Sequence, residues 1–231
     1  MYLLYLNKIG MVAADTTRTK YYLNELIRNN LFPAYVLLLL NCDAKSLPGQ
    51  DGAGSEKELI KLLKSSGIKY DIAPNSDINS NEVLKVISNK VETVFIFSGF
   101  GGVLLGDNIL NSGKKFLHIH GGYLPDYKGS TAIYYSLINE NTIGASSMFL
   151  TKEIDCGPVL LRKKFLPPKN RLEIDHIYDS EARAKVLIET LECYVESGSF
   201  NFELENNKGG ETFYIIHPVL KHLSILQGEV K

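Results

Sequence analysis

The sequence predicts an α/β protein. The expected architecture is a doubly wound, mainly parallel sheet, followed by a short C-terminal extension of helix and strand. Three observations predict it. Apolar runs of strand length alternate with segments of helical period through about residue 100. The run 34–40 is apolar at every position, as in a central parallel strand covered on both faces. A third apolar run, 116–119, passes into His120 and is stopped by Gly121-Gly122, so both of its histidines fall at a strand's carboxyl end. Ligand crevices of parallel α/β sheets form at that end.

The elements follow in order. Residues 2–6 read as the first strand. In 16–30, Tyr22, Leu23, Leu26 and Ile27 share one helical face, with Asp15, Thr16 or Thr17 as cap. Pro33 precedes the central strand. Residues 46–55, rich in Gly, Ser and Asp, are expected to form a loop. Leu59, Ile60, Leu62 and Leu63 mark a helix over 56–66, which Gly67 ends. Residues 68–73 are a short strand, 81–89 a helix and 91–97 a buried strand. Beyond the strand at 116–119, a helix is expected over 130–139 and a strand over 143–150. A long helix over 175–197 draws its apolar face from Ile177, Ala184, Val186, Leu187, Ile188, Leu191 and Tyr194. A polar turn at 206–210 leads to an edge strand at 212–216 and then His217-Pro218. We expect one α/β domain over 1–200. Residues 201–231 would be an extension packing on that core or on a partner, and a homodimer fits the second option.

Composition narrows the function classes. The chain has 231 residues, 45% of them hydrophobic, enough for a packed core. Its 25 basic residues are balanced by 26 acidic ones, without the basic stripe of a nucleic-acid binder. Arg162-Lys163-Lys164 reads as a solvated strand end. Cys42, Cys156 and Cys193 show no CxxC spacing, so neither a disulfide scaffold nor a zinc knuckle is expected, and a reducing cytoplasm fits. Met1 to Leu6 lacks a basic segment and a cleavage site, so no signal peptide is expected. No apolar run approaches the roughly 20 residues of a membrane span. A cytoplasmic protein with no membrane and no nucleic-acid partner is the expectation. No G-x-G-x-x-G follows the first strand and no Walker A sequence occurs, so a nicotinamide or ATP site has no support.

The chemistry concentrates in two stretches. His118 and His120 are separated by one residue on a strand, so both point to one face, about 7 Å apart. Asp155 follows in the turn after the strand over 143–150. A carboxylate beside an imidazole holds the ring's tautomer and raises its basicity. Other readings stand beside this one. Two imidazoles and one carboxylate are also the ligand set of a catalytic zinc or non-haem iron site. The histidines could instead be satisfied structural residues, and Asp155 a cap of its own turn. His176, His217 and His222 are isolated, which suits surface or core positions. Phe100, Val103 and Leu104 follow a strand and could be core.

The stretch 98–159 resembles the folate-dependent formyltransferases. That family's pattern is Asn-x-His-Pro-Ser-Leu-Leu-Pro-x-Tyr-Arg-Gly, then a helix, a strand, and an Asp in a Gly-bearing turn. Here the matching residues are His118, His120, Gly121, Gly122, Tyr123, Leu124, Pro125, Tyr127, Lys128 and Gly129, then Ile154, Asp155, Gly157 and Val159. Upstream, Ser98 to Leu104 is similar to the family's pterin-holding Gly-Phe/Tyr-x-x-Ile-Leu segment. The resemblance implies a Rossmann-like formyltransferase core and 10-formyltetrahydrofolate as formyl donor. It implies a small-molecule amine as acceptor and no resident metal. It assigns catalysis to His120, Asp155 and His118, and donor binding to Phe100, Gly102, Val103, Leu104 and Ile154. Substrate contacts would come from Gly121, Gly122, Tyr123, Tyr127 and Lys128, although Lys128 is equally readable as a solvated loop residue. Cys156 has no nucleophile role in that family.

Two departures stand out. His118 takes the place of the Asn that donates to the developing oxyanion, which a ring N–H can also do. A histidine titrates near neutral pH, so activity would fall as His118 loses its proton. Gly121-Gly122 replaces Pro-Ser, which would loosen the loop and open space beside the amine. A tRNA acceptor calls for a C-terminal barrel and a basic surface. Glycinamide ribonucleotide calls for a phosphate cradle, and Asn7 to Val12 matches one poorly. By elimination the expected acceptor is an amino sugar or sugar nucleotide of glycan synthesis. A metal- or folate-dependent hydrolase using the same three residues, or a non-catalytic binding module, is the alternative.

Overall fold

The structure is a computed structural model and describes residues 4–40, 52–200 and 207–227. The chain divides into two compact units, Met1–Leu117 and His118–Lys231. Among the described residues no helix is long and apolar enough to cross a membrane.

The first unit alternates strand and helix. It holds β1 (Leu4–Ala14), α1 (Thr17–Arg28), β2 (Leu31–Leu39), α2 (Gly52–Ser65), β3 (Tyr70–Ile72), α3 (Asn81–Ser88), β4 (Val94–Ser98), α4 (Asp107–Leu110) and the start of β5 (Lys115–His120). Its strands run in the order β3-β2-β1-β4-β5, and each pair is parallel. Strand order reverses beside β1, the signature of a doubly wound sheet. Ile9, Met11, Val12, Val36, Leu37, Leu38, Phe95 and Ile96 are fully buried along the central strands. Thr16 caps α1 by accepting a hydrogen bond from Thr19 N, and Ser80 caps α3 from Val83 N, both at 3.2 Å.

Several boundaries differ from the expectation. β2 begins at Leu31, so Pro33 lies within the strand rather than ahead of it, and β3 is only Tyr70–Ile72. β1 runs on to Ala14 because exposed Asn7 and Lys8 interrupt the apolar pattern without ending the strand; the register shifts between Leu6 and Gly10 and then resumes. Gly52 to Ser55, expected in a loop, open α2, while 46–51 lie outside the described residues. β4 starts at Val94, and β-branched Val91 lies in solvent ahead of it, 83% exposed. α4 has four residues, too few to leave a periodic signal.

The second unit holds the end of β5, β6 (Tyr127–Gly129), α5 (Ala132–Glu140), β7 (Ile143–Phe149) and β8 (Val159–Phe165). A π-helical turn (Ile174–Tyr178), α6 (Asp179–Ser197), β9 (Glu211–Phe213) and α7 (Pro218–Leu226) complete it. β7 and β8 pair antiparallel. β8 was not expected, because its Arg162-Lys163-Lys164 reads as a solvated end. In the structure those cations have partners: Lys163 meets Glu189, Lys164 meets Glu140, and Arg162 stands over the Tyr123 ring. The long helix expected from 175 is π-helical in its first turn.

β6 and β9 form a separate parallel pair, with Tyr127, Lys128 and Gly129 beside Glu211, Thr212 and Phe213. The Phe213 ring stacks on Tyr127 at 5.6 Å and on Tyr135 at 4.4 Å. Tyr214 and Ile215, expected within that strand, follow it and are exposed. α7 packs on α5, and Arg171 Nη1 donates to Ser224 O at 2.8 Å.

Candidate active site

β5 presents the two histidines. Phe116, Leu117 and Ile119 anchor the strand in the core, and His118 and His120 share the face of Phe116, opposite Leu117 and Ile119. His120 is buried, 5% exposed; His118 is half-buried. Asp155 lies in the turn between β7 and β8 and is also buried. Its φ of 52° is left-handed, a conformation that non-glycine residues seldom adopt. That turn brings Asp155 Oδ2 to 3.3 Å from His120 Nδ1.

The proton inventory of this pair follows from its partners. His120 Nε2 lies 2.7 Å from Tyr127 O, and a carbonyl only accepts, so Nε2 carries a hydrogen and donates it. Without a further proton, Nδ1 and Oδ2 would set lone pair against lone pair. In the neutral ring Nδ1 therefore bears the lone pair, and a proton taken up there would be shared with Oδ2. Oδ2 also accepts from Gly129 N at 2.7 Å. Burial, the largest influence, pushes the His120 pKa below its ordinary value; the Asp155 charge pulls it up and the Arg183 charge pushes it down.

Arg183 is the feature that pattern reading missed. From α6 its Nη1 donates to Ile119 O at 2.9 Å, and its Nε meets both oxygens of Asp179, at 3.0 and 2.9 Å. The four-residue spacing of Asp179 and Arg183 on a helix was the available signal. This pair explains Gly121. A Cβ there would collide with the Arg183 guanidinium and lie 2.6 Å from Asp179 Oδ1. A Cβ at Gly122 would collide with Tyr127 O and lie 2.7 Å from His120 Nε2. The two glycines were expected to open space for substrate; instead neighbouring groups occupy that space.

Tyr127 and Lys128 are likewise turned inward. The Tyr127 hydroxyl donates to Glu140 Oε1 at 3.1 Å. Lys128 is 5% exposed; its Nζ donates to Asn207 O at 3.2 Å and Gly209 O at 2.8 Å and reaches Cys156 Sγ at 3.6 Å. The solvated-loop reading of Lys128 is corrected by that burial. Tyr123 is half-buried beneath the side chains of Arg162 and Lys164.

The expected donor-binding residues lie in the open. In the first unit, Phe100 is half-buried, Gly102 exposed, and Val103 and Leu104 are 39% and 61% exposed. The core reading of Val103 and Leu104 is thereby corrected. Asn79 fixes the backbone beyond them, donating from Nδ2 to Leu104 O at 2.9 Å and accepting from Gly106 N at 2.7 Å. In the second unit, Ile154 is also exposed. Among the described residues no three His, Cys, Asp or Glu side chains converge as a ligand set.

A family model described as formyl transferase matches residues 8–185. The chain is 29% identical over 105 residues to formyltetrahydrofolate deformylase 2, mitochondrial, of Arabidopsis thaliana, covering 44% of this chain and 31% of that protein. It is 26% identical over 139 residues to the methionyl-tRNA formyltransferase of Desulforamulus reducens, covering 59% and 44%. The chain thus spans less than half the length of these curated relatives. A sugar N-formyltransferase from a Shewanella species superposes with a TM-score of 0.62 at 15% identity, over 96% of this chain and 88% of that one. HypX from Aquifex aeolicus in complex with tetrahydrofolic acid gives 0.56 at 15% identity, over 92% and 30%. At such identities these likenesses establish the fold. With most of its length matched by the family model, the chain belongs to the formyl transferase family.

Proposed function

We propose that this protein transfers a formyl group from 10-formyltetrahydrofolate to the primary amine of a small acceptor, an amino sugar or nucleotide-linked amino sugar. One observation carries the reading: the 3.3 Å contact between His120 Nδ1 and Asp155 Oδ2, with His118 two residues back on β5, inside the segment the family model matches. The amine lone pair forms the new C–N bond, the bond from the formyl carbon to the donor nitrogen breaks, and one proton passes from amine to that nitrogen. The His120–Asp155 pair is suited to accept and return this proton, a contribution typically of about 10²- to 10⁴-fold. A His118 ring N–H would donate to the carbonyl oxygen as its charge develops, worth about 10²- to 10³-fold. The buried setting of the pair strengthens each of these interactions.

The donor is a flat ring system, and within the first unit the exposed apolar Val103 and Leu104, with Phe100 and Gly102, suit such a ring. Gly121, Gly122, Tyr127 and Lys128 shape the pair from within the fold rather than touching the acceptor. The sugar acceptor is supported by the nearly full-length superposition on a sugar N-formyltransferase, and a 4-N formyltransferase from Francisella tularensis aligns equally far. A second reading, hydrolysis of the formyl donor, is favoured by the deformylase relative.

Incubation with 10-formyltetrahydrofolate and a panel of amino sugars separates the two. Tetrahydrofolate release that needs an amino sugar and yields its N-formyl product supports transfer. Equal release without acceptor supports hydrolysis, and release in neither case removes both readings.

A further inference from the structure

The turn that carries Asp155 is held from the C-terminal segment. Asn207 Nδ2 donates to Asp155 O at 2.9 Å and to Gly157 O at 2.8 Å. Two carbonyls accept only from a donor, so the orientation of this amide is determined. Its Oδ1 is buried and has no partner among the described residues, a costly arrangement to maintain unless the amide group is needed where it stands. Lys128 Nζ grips the carbonyl of Asn207 itself, and the next residue, Gly129, donates its N–H to Asp155 Oδ2. One side chain therefore fixes the backbone on both sides of Cys156, while β6 fixes the carboxylate.

This matters because of the backbone of Asp155. Its left-handed φ persists where surrounding bonds over-determine it. Within the turn itself the closing bond, Cys156 N to Glu153 O, is 3.4 Å long and weak. The Asn207 amide supplies the two shorter bonds that the turn cannot make alone.

We infer that Asn207 is a positioning residue for the acid–base pair, and that the C-terminal segment completes the site through it. The inference rests on the reading of His120 and Asp155 as that pair. Without the Asn207 amide, the Asp155 backbone relaxes toward ordinary φ values and Oδ2 withdraws from Nδ1.

The test reads the pair directly. Ring signals of His120 are recorded by NMR in the ligand-free full chain with labelled histidine, and Asp155→Asn supplies the reference for a broken contact. Asn207→Asp keeps the side-chain size but sets a carboxylate oxygen against two carbonyls. We expect its His120 signals to move to the Asp155→Asn positions. Tetrahydrofolate release with 10-formyltetrahydrofolate and the best amino sugar of the panel should fall about 10²-fold in kcat, with KM for the donor little changed. Should Asn207→Asp not fold, Asn207→Ala, which removes both donors without adding charge, carries the same test. A lowered melting temperature with wild-type His120 signals and a wild-type pH–rate profile would make Asn207 structural only and overturn the inference. If wild-type protein turns over none of these substrates, the reading as a formyltransferase fails on its own. The NMR arm then still decides whether Asn207 positions Asp155.

Discussion

His120 is set by its burial and by neighbours that act in different directions. Burial disfavours its charged form, Asp155 favours it and Arg183 opposes it, so the titration midpoint sits below the ordinary value of about 6.5. The signs give an ordered series. Asp155→Asn removes the favourable charge and should lower the midpoint further; Arg183→Met removes the opposing charge and should raise it. NMR titration of the ring measures both, and a reversed order contradicts the electrostatics described above. Linkage has the same sign: the unfolded chain binds this proton more readily than the folded one, so stability rises with pH through the window below about 6.5 and is lost on acidification. Urea unfolding across that range reports the change. Gly121 makes a further residue-scale case. Gly121→Ala should displace the Arg183 guanidinium, shifting the His120 midpoint in the same upward direction as Arg183→Met. His120 and Asp155 were legible in the sequence because a strand end and a turn offered them and the family resemblance paired them, and the structure sets them 3.3 Å apart. Arg183 and Asn207 were not, because they approach from 63 and 87 positions beyond His120, the differences of their numbers; the four-residue spacing of Asp179 and Arg183 marks a helical pair without pointing to the histidine.

Elements with strong periodicity were read correctly in kind, and errors fell where packing overrode pattern. α1 and α3 show caps and one apolar face, and their ends agree with the structure within two residues. β8 was missed because its basic residues find partners on neighbouring elements that the sequence does not bring near. The pairing of β6 with β9 joins segments some 80 residues apart, beyond the reach of any window. That pairing leaves no room at Gly129: its φ of +90° is left-handed, and an added Cβ would collide with Phe213 O. Gly129→Ala should therefore destabilise the protein by about 2–4 kcal/mol and disturb the hydrogen bond to Asp155. Chemical denaturation measures the loss; a change under about 0.5 kcal/mol, the ordinary surface range, would contradict the pairing. Thr16→Ala, which removes only a helix cap, should cost about 1 kcal/mol and leave the His120 titration unchanged.

At the scale of the whole molecule, fold class was the most legible property. Alternating apolar runs and helical faces dictate a doubly wound sheet, whatever the chemistry at its edge. The identity of the acceptor is the least legible, since no sequence pattern in the chain singles one out. Near charge balance, 25 basic against 26 acidic residues, argues for a weak salt dependence of donor turnover, and a steep decline between low and physiological salt would point to a polyanionic acceptor instead. The central claim is that the His120–Asp155 pair takes up and returns the proton that moves in formyl transfer. The most direct measurement is single-turnover formation of N-formyl amino sugar from 10-formyltetrahydrofolate by wild type, His120→Ala and Asp155→Asn. The account predicts losses of about 10²- to 10⁴-fold in both variants with donor affinity retained. Near-wild-type rates in either would contradict it.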